Sequence, residues 1–302
     1  MTSVLIFGAH GQLGRALSAS RWPQGWRTRF LDRAACDLTD FAAIRRSILS
    51  TRPDLIVNAA AFTAVDQAES EPDVTWAINA FAPAAMAEAA ARVGAALVQV
   101  SSDYVFNGSL GPAWREEDEP RPLNVYGATK VASERAVRAA LARHLIVRTS
   151  WVFDQSGRNF VTTMLRLGRS RPKLSIVNDQ FGRPTAASDL AHGLIMMAEA
   201  AMAADDGWGT YHVTNSGPPV MWAGFAEAIF RAAGPWYGPP PQIQPVRAGE
   251  YPTAARRPAN SVLDTAKAEQ VFGLELRPWE AALRGMLARP LPAFARARAR
   301  AA

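Results

Sequence analysis

The chain has 302 residues, 49% of them hydrophobic and 20% charged, with a formal net charge of +6 and one cysteine, Cys36. That length accommodates one large α/β domain or two unequal ones. No apolar run reaches the ~18 residues of a membrane span, and the lone cysteine excludes a disulfide framework and a cysteine-rich zinc site.

A reducing cytoplasm fits this cysteine content, and no membrane partner is expected. The positive charge comes mainly from scattered arginines. They form no basic stripe interleaved with aromatics, so nucleic acid is not an expected partner, whereas a phosphate-bearing small molecule is. The dense run Arg296-Ala-Arg298-Ala-Arg300 reads as a solvated tail.

The chain opens on the apolar run Val4-Leu5-Ile6-Phe7, a strand, followed by a helix over Gly11–Ser20. Thr28–Leu31 is a second strand. Phe41, Ile44 and Ile48 fall on one face of a helix over Phe41–Ser50. Leu55-Ile56-Val57 is a third strand, Val74–Val93 a helix and Leu97–Val100 a fourth strand. A helix over Val125–Ala142 and a fifth strand, Leu145-Ile146-Val147, complete this part. Strands that are apolar throughout and separated by helices indicate a parallel sheet covered on both faces. The expected fold is therefore α/β, a Rossmann-type doubly wound sheet over residues 1–150.

After Trp151 the pattern loosens. Helices are expected near Phe160–Arg169, Ala186–Ala203, Trp222–Ala233 and Pro278–Leu287, with one more strand over Gly209–Thr214. Proline and glycine between Gly234 and Pro258 argue against long regular elements there. The expected division is a dinucleotide-binding domain of residues 1–150 plus parts of about 186–215. A smaller, partly discontinuous α/β substrate domain takes 151–185 and 216–302.

Gly8-Ala-His-Gly11-Gln-Leu-Gly14 joins the first strand to the first helix. Glycines at such a turn let the chain reverse, let backbone approach a pyrophosphate and let helix pack on strand, with free N–H groups facing the phosphates. Asp32 and Arg33 end the second strand. The carboxylate favours ribose hydroxyls and hence NADH, and the guanidinium favours the 2′-phosphate of NADPH, so the choice stays open. Asp37 and Leu38 can cap an adenine pocket. The small residues Ala60 and Ala61, after Asn58, leave room for a cofactor to cross the sheet edge.

Tyr126-Gly-Ala-Thr-Lys130 places a phenol and an ammonium on one helical face. A cation one turn away is expected to stabilise the phenolate and lower its pKa, so the pair suits proton donation to an oxygen that gains charge as hydride arrives. Ser102 follows the fourth strand, where it can share that oxygen with Tyr126. Arg256 and Arg257 have the geometry to bind a substrate pyrophosphate.

Together these segments resemble the extended short-chain dehydrogenase/reductase superfamily, and within it the dTDP-4-dehydrorhamnose reductase family. The resemblance rests on Gly8–Gly14, Asn58–Pro72, Ser101–Phe106, Pro122–Lys130, Arg148–Val152, Asn178–Thr185 and Tyr251–Pro258. It implies reduction of the 4-keto group of dTDP-4-dehydro-L-rhamnose with NADPH or NADH. It implies Tyr126 as proton donor, with Lys130 tuning it and Ser102 assisting. Gly11, Gln12, Leu13, Asp32, Asp37, Leu38, Ala60, Ala61 and Phe62 would line the cofactor, and Ser102, Asp103 and Trp151 would touch the sugar.

Some members dimerise through a magnesium ion held by carboxylates. The corresponding positions here are Ala16, after Gly14-Arg15, and Ser188, after Ala187. This departure argues against Mg2+ and for a monomer or weak homodimer. Two other readings are a nucleotide-sugar epimerase or dehydratase of the same superfamily, and a non-catalytic regulatory subunit similar to that of methionine adenosyltransferase. A dehydratase typically carries more carboxylates beside the serine than Asp103 alone.

Overall fold

The computed structural model describes residues 1–292 and 294. The Arg296–Arg300 run lies outside the described residues. In chain order the first half comprises β1 (Thr2–Phe7), α1 (Gln12–Ala19), β2 (Trp26–Leu31), α2 (Phe41–Thr51) and β3 (Leu55–Asn58). Then come α3 (Val65–Ser70), α4 (Pro72–Trp76), a π-helical turn (Ala77–Phe81), α5 (Ala82–Val93) and β4 (Ala96–Ser102). A 3-10 turn (Asp103–Val105), α6 (Val125–Ala140) and β5 (His144–Thr149) close it. The second half comprises β6 (Val152–Phe153), α7 (Phe160–Ser170), β7 (Lys173–Val177), β8 (Phe181–Gly182), β9 (Thr185–Ala186), α8 (Ala187–Ala204) and β10 (Gly209–His212). It ends with β11 (Val220–Met221), α9 (Trp222–Tyr237), β12 (Gln242–Val246), α10 (Ala266–Phe272) and α11 (Trp279–Leu287).

Six strands form one parallel sheet in the order β10-β5-β4-β3-β1-β2. Side chains alternate between its faces, as strand geometry requires. Val4, Ile6, Leu55, Val57, Val98, Leu145 and Val147 pack with Leu17 of α1 and Leu190 and Leu194 of α8. Leu5, Phe7, Ile56, Leu97 and Ile146 pack on the opposite face with Ile44 and Ile48 of α2 and Met86 of α5. Apolar burial on both faces is why these strands lack polar alternation. The order reverses between β1 and β3, which opens a crevice beyond their C-terminal ends. A separate core joins Leu165 of α7, Phe225 and Ile229 of α9, and Leu283 of α11.

Two segments depart from the sequence expectation. The helix expected over Val74–Val93 is broken by the π turn at Ala77–Phe81 and preceded by a separate helix, α3. Pro83 has no N–H for the carbonyl four residues back, and the wider turn lies just before it. Further on, α9 continues past Ala233 through Pro235 to Tyr237. Its last turn is tied down by the Trp236 indole donating to the Leu287 carbonyl at 2.7 Å and the Tyr237 hydroxyl to the Leu165 carbonyl at 2.8 Å. The proline-rich stretch after it still contains β12, which pairs parallel with β7.

Candidate active site

The glycine-rich turn is built by close approach. Gly8 has φ +92°, and a Cβ there would lie 2.8 Å from the Ala60 nitrogen, so the ends of β1 and β3 meet backbone to backbone. A Cβ on Gly14 would collide with the Gly8 carbonyl oxygen. Above this contact lies a cavity of about 280 Å³. Gly8, Gly11, Ala60, Ala61 and Phe62 line it on the strand-end side, and Asp32, Arg33, Asp37 and Leu38 on the other. A glycine cradle beside a carboxylate and a guanidinium fits a dinucleotide with its phosphates on the turn.

Two expected residues stand elsewhere. The Leu13 side chain is buried in the core under the sheet. Gln12 turns to the second half, where its Oε1 accepts the Asn159 side-chain N–H at 2.9 Å. Neither side chain lines the cavity. Leu13 follows the helical repeat of α1 into the core, so only its backbone can face the turn.

Asp32 is held by the Ala35 amide at 2.8 Å and faces the exposed His10 at 3.7 Å. Beside them a hollow of about 470 Å³ is lined by His10, Arg15, Ser18 and Asp32. The Thr39 amide and hydroxyl, and then Arg33, hold the Asp37 carboxyl below its usual value.

The chemical end gathers at the C-terminus of β4. Asn124 caps α6 by accepting the Gly127 amide at 2.8 Å, and its own amide donates to the Arg256 carbonyl at 2.8 Å. Gly127 lets the helix start abut the next turn, since a Cβ there would collide with the Tyr104 carbonyl oxygen. This approach sets the Tyr126 phenol beside the Ser102 hydroxyl and edge-on to Tyr104, with ring centroids 5.6 Å apart. Burial pushes the Tyr126 phenol up to about 12, a shift the nearby Ser102 hydroxyl only partly offsets.

The expectation that Lys130 lowers this value is not met. Burial dominates at Tyr126, and the Lys130 Nζ donates to the Val100 carbonyl at 2.6 Å. Burial also pulls the Lys130 ammonium down to about 8, opposed by the charge of Glu134. The phenol is thus a firm proton holder at neutral pH that can give its proton to an oxygen developing full negative charge.

Behind Lys130 lies a buried ion pair, Arg148 with Glu134, joined from the surface by Arg138. The Arg148 guanidinium donates to both Glu134 carboxylate oxygens, at 2.9 and 2.7 Å. Glu134 also accepts the Ser101 hydroxyl at 2.6 Å and Arg138 at 2.8 Å. Burial alone would raise the Glu134 pKa; Arg148, Ser101 and Arg138 together hold it below the ordinary value. The cluster ties α6 to the ends of β4 and β5.

The other substrate candidates are scattered. The Trp151 indole, at φ +49°, stacks on Trp222 with centroids 3.4 Å apart and lies against Gly182. In this arrangement an aromatic neighbour takes the ring face that a sugar was expected to use. Arg256 is exposed and fixed through its carbonyl. Arg257 is paired with Asp66.

Several residues near the sites escaped the sequence reading. Asn79, buried in the π turn, accepts the Phe62 amide at 2.8 Å and donates to the Phe62 carbonyl at 3.0 Å. It thereby fixes the loop that floors the cofactor cavity. An asparagine inside an otherwise apolar helical run was the available signal. Tyr104, which abuts Tyr126, carried no spacing signal of its own.

A family model described as the RmlD substrate binding domain matches residues 1–291. A dTDP-4-dehydrorhamnose reductase of Escherichia coli (strain K12) is 42% identical over 291 residues, covering 94% of this chain and 97% of that one. Another, from Streptomyces griseus, is 41% identical, with coverage of 95% and 96%. The crystal structure of dTDP-4-dehydrorhamnose reductase from Bacillus anthracis str. Ames in complex with NADP superposes with a TM-score of 0.88 at 36% identity, covering 95% and 99% of the two chains. A UDP-glucose 4-epimerase of Thermus thermophilus, 21% identical with a TM-score of 0.74, shares the fold. Since the match extends from β1 to beyond α11, this chain belongs to the RmlD substrate binding domain family.

Proposed function

We propose that the chain reduces the 4-keto group of dTDP-4-dehydro-L-rhamnose to dTDP-L-rhamnose, consuming NADPH or NADH. The observation that carries the chemistry is the buried Tyr126 phenol beside Ser102 at a strand end, with Lys130 one turn along the same helix. The substrate is supported by relatives of that name at about 40% identity over nearly full length. When bound, the reduced nicotinamide supplies hydride.

In this reading the glycine turn with Ala60, Ala61 and Phe62 seats the cofactor. Asp32 and Asp37 orient its adenosine end, and Arg33 meets a 2′-phosphate if one is present. Tyr126 holds the proton that the new alkoxide takes, and Ser102 shares that oxygen. Lys130 stiffens the strand end through the Val100 carbonyl and is placed to reach ribose hydroxyls. Ser102, Asp103 and Trp151 would contact the sugar, with Trp151 leaving Trp222 to do so. Arg256 and Arg257 would face the pyrophosphate.

Residues 1–150 with part of 186–215 would form the cofactor-binding unit, and 151–185 with 216–302 the substrate-binding unit. The residues at Ala16 and Ser188 support a monomer or weak dimer without Mg2+. The single Cys36, buried and free, is compatible with a cytoplasmic setting.

The deciding experiment adds dTDP-4-dehydrorhamnose to protein with NADPH and, separately, NADH, and follows absorbance at 340 nm. Stoichiometric loss with dTDP-L-rhamnose as product is expected. Folded protein that binds the nucleotide without turning over removes this reading.

A further inference from the structure

The hollow of about 470 Å³ beside the glycine turn lies on the opposite face of the sheet edge from the floor of the cofactor cavity. Phe30, which lines the hollow, packs on the core under α1, whereas Leu38 and Ile78 of the cofactor cavity pack with α2 and α5. Arg15 and Ser18 stand three residues apart on α1 and so share the helical face that borders it. His10 and Asp32 line both spaces, which therefore meet across that pair.

The cations of the hollow are placed to take an anion. The exposed Arg15 guanidinium donates to the Ser156 hydroxyl at 3.4 Å, and no carboxylate pairs with it among the described residues. His10 turns Nδ1 to the Asp32 carboxylate at 3.7 Å, and its Nε2 has no partner among the described residues. Asp32 is held in that position through its other oxygen, which accepts the Ala35 amide at 2.8 Å. Arg33 is differently placed. It lines the cofactor cavity and not the hollow, and its Nε donates to Asp37 at 3.4 Å.

We propose that this hollow takes the 2′-phosphate of NADPH, and that Arg15 and His10 are the residues by which the chain selects NADPH over NADH. This rests on the reductase reading above, in which the glycine turn seats a dinucleotide. With the pyrophosphate on the turn, the adenosine ribose comes to the end of β2, beside Asp32. A substituent on its 2′-oxygen then meets Asp32 and His10 first. A phosphate monoester is close to a dianion at neutral pH, and a carboxylate alone would repel it. His10 removes that conflict, because an imidazole carrying both protons donates from Nδ1 to Asp32 and from Nε2 to the phosphate. Arg15 presents parallel N–H groups to two phosphate oxygens from the helix side, and the Ser18 hydroxyl is a further donor one turn along. Arg33 meets the same phosphate only from the adenine side, and must leave Asp37 to do so. NADH has no group for Arg15 to hold, so Arg15 discriminates without contributing to NADH binding.

Calorimetric titration tests this without turnover, at low salt, where an exposed pair is least screened. Adenosine 2′,5′-bisphosphate and 5′-AMP differ only in the 2′-phosphate. Wild type should bind the bisphosphate at least about tenfold more tightly. Arg15→Ala should remove most of that preference while 5′-AMP affinity stays within about twofold, and Arg15→Lys should restore part of it. Arg33→Ala should remove less than Arg15→Ala does. The ratio of NADPH to NADH affinity should follow the same order. Equal affinity of wild type for the two fragments overturns the phosphate site, as does a preference that survives intact in Arg15→Ala or one that Arg33→Ala alone abolishes. If Arg15→Ala does not fold, the His10 ring resonances of wild type, assigned by their loss in His10→Gln, should move further with the bisphosphate than with 5′-AMP; equal movement with both also overturns it. Wild type that binds neither NADPH nor NADH removes the dinucleotide seat, and the reductase reading with it. Wild type that discriminates as expected but turns over no dTDP-4-dehydrorhamnose defeats that reading alone and leaves the phosphate site standing.

Discussion

The Arg257 guanidinium takes both carboxylate oxygens of Asp66, at 3.0 and 2.7 Å, across 191 residues of sequence. Asp66 Oδ1 also accepts the Ala255 amide at 3.1 Å. One carboxylate on the short helix after β3 thus fixes a segment that reaches both Tyr104 and, through Asn124, the start of α6. Asp66→Ala should cost about 1 kcal/mol or less, because the pair is partly exposed and screened by solvent. Its larger effect should be a severalfold higher KM for the nucleotide sugar with kcat little changed. Urea denaturation together with steady-state kinetics checks both.

Tyr126→Phe removes the phenolic proton while keeping the ring against Tyr104. Turnover should fall roughly 10²–10⁴-fold. Nucleotide affinity, measured by fluorescence titration, should stay within about twofold. Near wild-type turnover would mean that the proton comes from another group.

Lys130 predicts a limb on the alkaline side. Its ammonium titrates at about 8, so the charged form is present below that pH and lost as pH rises through it. Tyr126, at about 12, keeps its proton over this range. The ratio kcat/KM should therefore fall as pH rises past about 8. Lys130→Arg keeps a cation there, so whatever activity it retains should show no such fall.

The Glu134–Arg148 pair predicts a loss of stability. Glu134→Gln leaves Arg148, 1% exposed, without its carboxylate. Breaking a buried pair from one side costs about 3–5 kcal/mol, read as a lower denaturation midpoint. The Glu134 pKa is lowered in the fold, so its contribution is present above the ordinary carboxylate range and drains away as pH falls through the lowered value. The gap between wild type and Glu134→Gln should narrow on acidification.

The glycine turn gives a paired test. Gly14→Ala puts a methyl on the Gly8 carbonyl and should sharply reduce folded yield. Gly11→Ala meets only that same oxygen at 3.4 Å and should fold normally. Its methyl should nonetheless obstruct a phosphate resting on the turn, seen as at least about tenfold weaker NADPH binding by calorimetry.

The sheet was legible because β1, β3, β4 and β5 are buried on both faces, which leaves uninterrupted apolar runs. Strands β7 and β12 were not, because each is five residues long, half exposed, and β12 contains Pro245. The π turn was hidden inside a run whose helical spacing looks continuous. At the site, spacing was enough to pair Tyr126 with Lys130 and order alone enough to bring Ser102 to them. It could not say where the Lys130 ammonium ends. Nor could it say that Trp151 rests on Trp222, or that Arg257 is paired with Asp66. Those facts depend on contacts between segments far apart in the chain.

The sixth strand has a consequence for synthesis on the ribosome. Strand β5 ends at Thr149, and its neighbour β10 begins only at Gly209. At ~5–20 residues per second, the intervening sixty or so residues occupy roughly 3–12 s. Throughout that interval the emerging sheet presents β5 as an open hydrogen-bonding edge, and the far side of Arg148 lacks His212. Slowing elongation between these positions should therefore increase edge-to-edge association of nascent chains, and speeding it should favour soluble yield.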